Sequence, residues 1–208
     1  MQEVKQSRAL ATRERILRAA AGLFALKGFH DTKLKEVLCS AKVTTGAFFH
    51  HFENKDDLGF AVIDRHMERR RRQLNKIEET LPPGPDEGML TPVFRRLDAI
   101  AEMARKRERT KGGCVIGNLT ASLSDTHDAF RRRLAACFDE MAREFEPPLA
   151  ALIQERGLSR RIDALELARY IVSVIEGAIL LARSRGDRQL ITRQFAFLKQ
   201  HLRHCLGS

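Results

Sequence analysis

The chain has 208 residues, of which 43% are hydrophobic and 31% charged, and its formal net charge is +10 at pH 7. This apolar content can fill a core, so we do not expect intrinsic disorder, and no run of about 18 apolar residues is present to span a membrane. The first fifteen residues lack the apolar block of a secretory signal peptide, so we expect a cytoplasmic protein.

The first predicted elements are two helices separated by a glycine stop. Apolar residues recur at helical spacing from Leu10 to Leu26, and Gly28 follows as a C-terminal stop. Thr32 is positioned to cap a short second helix. A turn at Ser40–Lys42 ends that second helix.

A third short helix and a long fourth helix follow the turn. Thr44 can cap the third helix, which we expect to extend through His51. Asn54 is the predicted cap of the fourth helix, which runs from Lys55 to about Glu79. The spacing therefore predicts four consecutive helices before the first proline-rich loop.

The remaining segments also have helical patterns, and the predicted fold class is all-α with about nine or ten helices. The basic block Arg69–Arg72 in the fourth helix is interpreted as a solvated face. The density of proline and glycine predicts a loop at Leu81–Gly88. Further helices are predicted from Thr91 to Lys106, over Cys114–Leu123, from Ala129 with a break at Pro147 and Pro148, from Asp163 to Ser184, and from Asp187 to Leu206.

The second and third helices with their tight turn, braced by the first helix, form the pattern of a helix-turn-helix. Apolar residues are spaced to lock the pair over the first helix: Leu34, Val37, Leu38, Val43, Phe48 and Phe52 over Ile16, Ala20 and Phe24. The residues left exposed are small, polar or basic, as a surface for the major groove requires: Lys33, Lys35, Thr44, Thr45, Gly46, His50 and His51. Gly46 would let the backbone approach DNA closely, and Lys55 can meet a phosphate beside a helix N-terminus.

Residues 12–63 resemble the DNA-binding domain of TetR-family repressors. The segments that carry the resemblance are LFALKGF, at the end of the first helix, and AKVTTGAFFHHFENKDDL, across the third and fourth. The resemblance implies a helix-turn-helix DNA-binding domain over residues 1–54 and a helical ligand-binding and dimerisation domain over residues 55–208. It also implies a homodimer, in which the last two long helices pair, on a double-stranded DNA operator.

The same resemblance assigns roles to residues of the DNA-binding domain (residues 1–54), which we call the head. Lys35 corresponds to a base-contacting position in the second helix. Thr45 and Gly46 match positions in the third helix, the recognition helix, at the end that contacts the bases. His51 and Lys55 match positions that contact phosphates.

Phe49 departs from the family pattern, which usually has a tyrosine that bonds a phosphate at this position. Phenylalanine lacks the hydroxyl, so we expect one phosphate bond to be absent. The ring could instead contact a thymine methyl group or a sugar. DNA binding should survive this change in a weakened form.

Cys114 is the candidate sensing residue. The segment KGGCVIGNLTASLSD resembles a TetR branch that includes the repressor of N-ethylmaleimide reductase and the acrylate-responsive repressor. In the first of these two repressors, a cysteine at this place senses electrophiles and reactive chlorine. Cys114 would open a helix whose amides favour a thiolate, and Arg107, Arg109 and Lys111 are close in sequence. The alternative is that Cys114 is a small buried hydrophobe without chemistry.

The function that these patterns predict is a repressor released by a small molecule, with Cys114 as the target of an electrophile or oxidant. An alternative is the same repressor with a reversible hydrophobic inducer. Two further alternatives are a helical thiol enzyme, for which no positioned base is visible, and a nonspecific basic protein that coats DNA or membranes. We expect no cofactor, no metal and no enzymatic activity. The apolar candidates for the pocket are Met103, Val115, Leu119, Met141 and Ile175.

Overall fold

The computed structural model describes residues 2–82, 84–85, 88–106 and 113–207. Within these ranges the regular elements are ten α-helices and one 3-10 turn, and no β-strand occurs. The all-α prediction is therefore confirmed. The elements are α1 (Gln2–Lys27), α2 (Leu34–Ala41), α3 (Thr45–Phe49), α4 (Lys55–Thr80), the 3-10 turn (Gly88–Leu90), α5 (Thr91–Lys106), α6 (Val115–Leu123), α7 (Asp128–Arg143), α8 (Glu146–Glu155), α9 (Ala164–Arg185) and α10 (Gln189–Leu206).

Side-chain caps begin α3, α4 and α9, as the sequence predicted. Thr44, Asn54 and Asp163 each accept a hydrogen bond from the backbone N–H three residues later, at 3.2, 2.9 and 2.8 Å respectively. Each bond satisfies one N–H group that the first helical turn leaves without a partner. The predicted break at Pro147 and Pro148 also occurs, because both prolines lie in the first turn of α8, where their missing N–H is not needed.

The predicted cap of α2 was wrong. The Thr32 side chain is buried and donates its hydroxyl to the Gly28 carbonyl at 2.7 Å. The N-cap is Lys33, whose backbone N–H donates to Glu36 Oε2 at 3.0 Å. The carboxylate in the first turn therefore reaches back to the helix start, and the threonine ties the preceding loop to α1.

The boundaries of α1 and α3 also differ from the prediction. Helix α1 begins at Gln2, not near Leu10, because residues 2–9 are mostly good helix formers without the apolar stripe that a periodicity argument detects. Helix α3 ends at Phe49, not at His51. The His51 N–H bonds the Phe48 carbonyl at 2.8 Å, and this shorter-range bond tightens the chain into a turn.

The chain packs as two compact units. The first unit comprises Met1–Arg69 and Lys111–Leu134, and the second comprises Arg70–Thr110 and Ala135–Ser208. The first unit thus contains α6 and the start of α7 in addition to the helix-turn-helix. This division follows packing, so the functional boundary predicted between residues 54 and 55 stays a prediction.

An aromatic cluster of Phe24, Phe29, Phe60 and Phe130 lies in the first unit. The ring centroids of Phe29 and Phe130 are 5.0 Å apart, and Phe60 stacks on Phe130 at 4.2 Å. Gly59 faces this cluster, and a Cβ atom there would lie 2.6 Å from Phe130 Cζ. The start of α7 is therefore packed directly against α4 and against the loop that follows α1.

The second unit is built around α9, which packs against α8 and α10. Within it, Arg70 is only 8% exposed and donates to Glu144 at 2.7 Å. The interpretation of the whole block Arg69–Arg72 as solvated was therefore wrong at Arg70. An arginine can be buried at this position because a carboxylate compensates its charge. Across the described residues, no helix is both long enough and apolar enough to cross a membrane.

Candidate nucleic-acid interface

A tight turn joins α2 to α3. Lys42 adopts a left-handed conformation with φ 53°, and its N–H bonds the Cys39 carbonyl at 3.1 Å. The Val43 N–H bonds the Leu38 carbonyl, also at 3.1 Å. These two bonds close α2 and turn the chain within three residues, which gives the geometry of a helix-turn-helix.

The inner side of α3 is anchored by aromatic rings. Phe48 and Phe52 are buried, with ring centroids 5.5 Å apart. They belong to the same unit as the buried α1 residues Ile16, Ala20 and Phe24. Because this face of α3 is fully used in packing, the opposite face is presented to solvent.

The residues predicted to bind DNA lie in or next to α3, at the start of α2 and at the start of α4. Phe49 is 55% exposed although it is a large aromatic residue. A Cβ atom on Gly46 would meet nothing within 4 Å, so the protein's own packing does not require glycine there. Seven of the predicted residues are exposed, namely Lys33, Lys35, Thr44, Thr45, Gly46, Phe49 and His50, and two are half-buried, namely His51 and Lys55.

The Lys55 side chain already makes two contacts with residues of the head. Its ammonium lies 4.4 Å from the centre of the Phe29 ring and donates to the His30 carbonyl at 3.3 Å. Burial lowers the pKa of Lys55 below its ordinary value. A phosphate contact would use the ammonium N–H groups that do not face His30.

The sequence analysis did not single out Arg13, which lies next to this surface. Its guanidinium carbon is 5.2 Å from the centre of the Phe52 ring. In the sequence Arg13 is one of several basic residues of α1, and only the packing of α1 against the helix-turn-helix distinguishes it. The nearest signal for Arg13 in the sequence is its place on the helical wheel of α1 relative to the buried residue Ile16.

Cys114 is the N-cap of α6 and is half-buried. Its Sγ accepts a hydrogen bond from the Gly117 N–H at 3.5 Å. The helix start predicted at this cysteine is therefore present. The neighbouring basic residues Arg107, Arg109 and Lys111 lie outside the described residues.

The residues predicted to line a pocket are divided between the two units. Val115 is half-buried and Leu119 is buried in α6, in the same unit as Cys114. Met103 is half-buried, and Met141 and Ile175 are buried, in the second unit.

The second unit also contains a groove of about 420 Å³ between α7 and α9. Arg169 lies in its wall and donates to Asp139 at 3.0 Å. The predicted pocket residues are not part of its lining, which consists of Ala135, Phe138, Asp139, Arg169, Val172, Ser173 and Glu176. In the part of the chain that the structure describes, no three histidine, cysteine or acidic residues converge to hold a metal ion.

The sequence matches two family descriptions. Residues 16–62, which include the helix-turn-helix, match bacterial regulatory proteins of the tetR family. Residues 93–198 match the family described as tetracyclin repressor-like, C-terminal domain. The matches thus cover the DNA-binding head and most of the chain from α5 to α10.

Individual proteins are similar over nearly the whole chain. An uncharacterized HTH-type transcriptional regulator in the lacX 3′ region of Lactococcus lactis subsp. lactis is 30% identical over 90% of this chain and 91% of its own. The HTH-type transcriptional repressor NemR of Escherichia coli strain K12 is 24% identical, over 93% and 91%. The crystal structure of a TetR transcriptional regulator from Chloroflexus aurantiacus J-10-FL has a TM-score of 0.76 at 25% identity, covering 94% of this chain and 96% of that one. The reduced form of E. coli NemR shares the fold, with a TM-score of 0.72 at 22% identity and coverage of 91% and 96%.

Proposed function

Because the chain belongs to the TetR family of bacterial transcriptional regulators, we propose that it is a repressor that binds a palindromic operator as a homodimer and is released by a small molecule. The observation that carries this proposal is the exposed face of α3, where Thr45, Gly46 and Phe49 protrude from a helix anchored by buried rings. A rigid helix with small and polar residues at its N-terminal end suits entry into the major groove.

Each of the residues predicted to bind DNA has a role in this proposal. Lys35 from α2 and Thr45 from α3 contact base edges, and Gly46 allows the backbone to come close. Thr44, His50, His51, Lys33 and Lys55 contact phosphates and set the register of the protein on DNA. Phe49 packs against a thymine methyl group or a sugar instead of bonding a phosphate.

The outer faces of α9 and α10 support dimerisation. Four large apolar residues are exposed on these two helices, namely Tyr170, Leu180, Leu181 and Phe197. The α9 residues among them lie within about 60° of Gly177 around the helix, and a Cβ atom on Gly177 would meet nothing within 4 Å of this chain. A small residue at the centre of an apolar stripe lets a second copy approach closely.

The substitution Leu181→Glu should produce a monomer. Two-fold symmetry would bury two unpaired carboxylates, each costing several kcal/mol, so the dimer dissociation constant should rise at least about 100-fold. Sedimentation velocity at low micromolar concentration measures the change. The matched control is Leu26→Glu on α1, an exposed leucine of the other unit. A dimer that survives Leu181→Glu would place the interface elsewhere.

The release signal in this proposal is an electrophile that reacts with Cys114. The amides at the start of α6 and the positive end of its helix dipole favour the thiolate. The thiolate Sγ adds to an electrophilic carbon of an activated alkene and forms an S–C bond. The π electron pair moves to the neighbouring carbon, which takes a proton from solvent.

Packing in the first unit supports an effect of this reaction on the head. Helix α6 packs against α1, which carries the helix-turn-helix. An adduct on Sγ removes the bond from the Gly117 N–H and adds volume at the start of α6. A changed position of α6 would alter the packing of α1 and could therefore move the helix-turn-helix. A dimer binds its operator only when the two recognition helices are about 34–36 Å apart.

N-ethylmaleimide tests the thiol switch directly. Fluorescence anisotropy is measured on duplex DNA from upstream of the gene for this chain, with random DNA as competitor, before and after alkylation. Cys39 and Cys205 are exposed and will also react, so the decisive protein carries Cys39→Ser and Cys205→Ser and keeps Cys114. Alkylation of that protein should weaken operator binding by roughly 5–150-fold, the usual range of allosteric coupling. The same treatment of that protein with Cys114→Ser added should have no effect.

A reversible hydrophobic inducer is the second candidate for the release signal. The groove between α7 and α9 favours it, because its volume of about 420 Å³ lies within the range of small-molecule sites. Operator binding that alkylation leaves unchanged would keep the repressor and remove the thiol switch. Screening apolar compounds for loss of operator binding would then identify the ligand.

A further inference from the structure

Arg13 is an uncompensated cation beside the recognition helix. It is exposed on α1, and its guanidinium lies over the ring of Phe52, the residue directly after the turn at His50 and His51. Two other cations of the first unit have acidic partners: Lys27 pairs with Glu36, and Arg65 donates to Glu14 at 2.8 Å. Among the residues that the structure describes, no carboxylate pairs with Arg13. The aromatic ring therefore holds a positive charge that no carboxylate of the described residues neutralises.

A pair of histidines lies next to this cation. The ring centroids of His50 and His51 are 5.0 Å apart, and the centroids of His51 and Phe52 are 6.4 Å apart. Among the described residues, the ionisable groups that act on the His51 ring are His50 from its own segment and Arg13 from α1. Of the next acidic residues in the chain, Asp57 accepts a hydrogen bond from the Glu53 backbone N–H at 3.1 Å.

We propose that Arg13, His50 and His51 form a site for a backbone phosphate of duplex DNA, and that the phosphate binds there together with a proton. The proposal rests on the proposed function, because it concerns the same DNA-binding head. Arg13 supplies a guanidinium that can donate two parallel bonds to phosphate oxygens. His51 supplies a ring N–H that becomes a charged donor when the imidazole is protonated.

The direction of the pH dependence follows from the two states of His51. In the free protein, burial first and then the neighbouring His50 and Arg13 lower the pKa of His51 below its ordinary value, so the ring is neutral at pH 7. A bound phosphate places a negative charge beside the ring and raises the pKa of His51 in the complex. The complex then holds more protons than the free protein. DNA affinity should rise as the pH falls through the pKa of the complex and level off below the pKa of the free protein.

The first measurement is the pH dependence of affinity. Anisotropy titrations from pH 8.5 to 5.5 at constant ionic strength use the upstream duplex and a random duplex of equal length. The wild-type protein should gain up to about tenfold in affinity per pH unit for each proton bound. His51→Gln should remove most of that gain. His30→Gln, which removes an exposed histidine of the same unit, should retain it.

The second measurement is the salt dependence. Each phosphate contact contributes about 0.9 to the slope of log affinity against log salt, so Arg13→Gln should reduce the slope by about 1.8 in a dimer. The control is Arg15→Gln, the same substitution on nearly the opposite face of α1, which should leave the slope unchanged. An unchanged slope in Arg13→Gln would overturn the phosphate site. An unchanged pH gain in His51→Gln would overturn the proton linkage.

The two duplexes separate this proposal from the proposed function. A phosphate site has no sequence preference, so both variants can be judged on random DNA alone. If the wild-type protein did not prefer the upstream duplex, the operator assignment would fail. The slope and pH comparisons on random DNA would still support or overturn the phosphate site.

Discussion

Replacing Gly46 with leucine is expected to abolish specific DNA binding while leaving the protein folded. A Cβ atom at this position meets nothing within 4 Å, so the side chain has room in the free protein. Leucine also favours the helix over glycine by about 0.8–1 kcal/mol. On DNA the side chain would occupy the space through which the backbone of α3 approaches the bases. We expect at least about a 100-fold loss of operator affinity, which corresponds to about 2.8 kcal/mol.

Graded variants make this prediction sharper. Gly46→Ala adds a single methyl group and should produce a smaller loss. Gly22→Leu is the matched control, because Gly22 lies within α1 and a Cβ atom there also meets nothing within 4 Å. Circular dichroism should show unchanged helix content in all three proteins. Operator binding by Gly46→Leu within threefold of wild type would show that the N-terminal end of α3 does not approach DNA.

The substitution with the largest expected effect on stability is Phe130→Ala. Phe130 is fully buried, stacks on Phe60 and contacts Phe29. Removing a buried phenylalanine side chain costs about 3–5 kcal/mol. For a chain of this size each kcal/mol lowers the Tm by about 2–4 °C, so thermal denaturation should show a decrease of roughly 10 °C.

The control for Phe130→Ala is Phe49→Ala, which removes the same side chain from an exposed position. Its stability should change by less than about 0.5 kcal/mol. Gly59 offers a second comparison, since Gly59→Ala would place its Cβ 2.6 Å from Phe130 Cζ. That variant should be destabilised alone and better tolerated in the Phe130→Ala background. A decrease in Tm of less than about 2 °C for Phe130→Ala would show that this cluster contributes little to stability.

Local chemistry explains why the helix-turn-helix could be located from the sequence. Thr44 and Asn54 cap their helices through bonds that span only three residues, and such bonds depend on residue type and spacing alone. The alternation of buried and exposed positions around Phe48 follows from helical periodicity in the same way. The exception at Thr32 arose because Glu36, in the first turn of α2, accepts the bond from the Lys33 N–H and so places the helix start one residue later.

The limits of the sequence appear wherever two distant helices meet. The block Arg69–Arg72 gives no indication that Arg70 alone would be buried, because its partner Glu144 comes from the distant turn between α7 and α8. Likewise, the predicted lining of the pocket grouped Leu119 with Met141 and Ile175, although they lie in different compact units. Apolar character predicts that Leu119, Met141 and Ile175 are buried, but it does not identify the residues that each of them contacts.

The sequence by itself determined the all-α fold class, the position of the helix-turn-helix and the family, because caps, turns and helical periodicity act over a few residues. Only the tertiary structure decided that Phe130 packs against Phe29 and Phe60 and that Arg13 lies over Phe52. The physical reason is that the rotation and axial offset of one helix against another depend on the simultaneous packing of many side chains. No local pattern encodes that choice, so the contacts between distant helices had to be read from the structure.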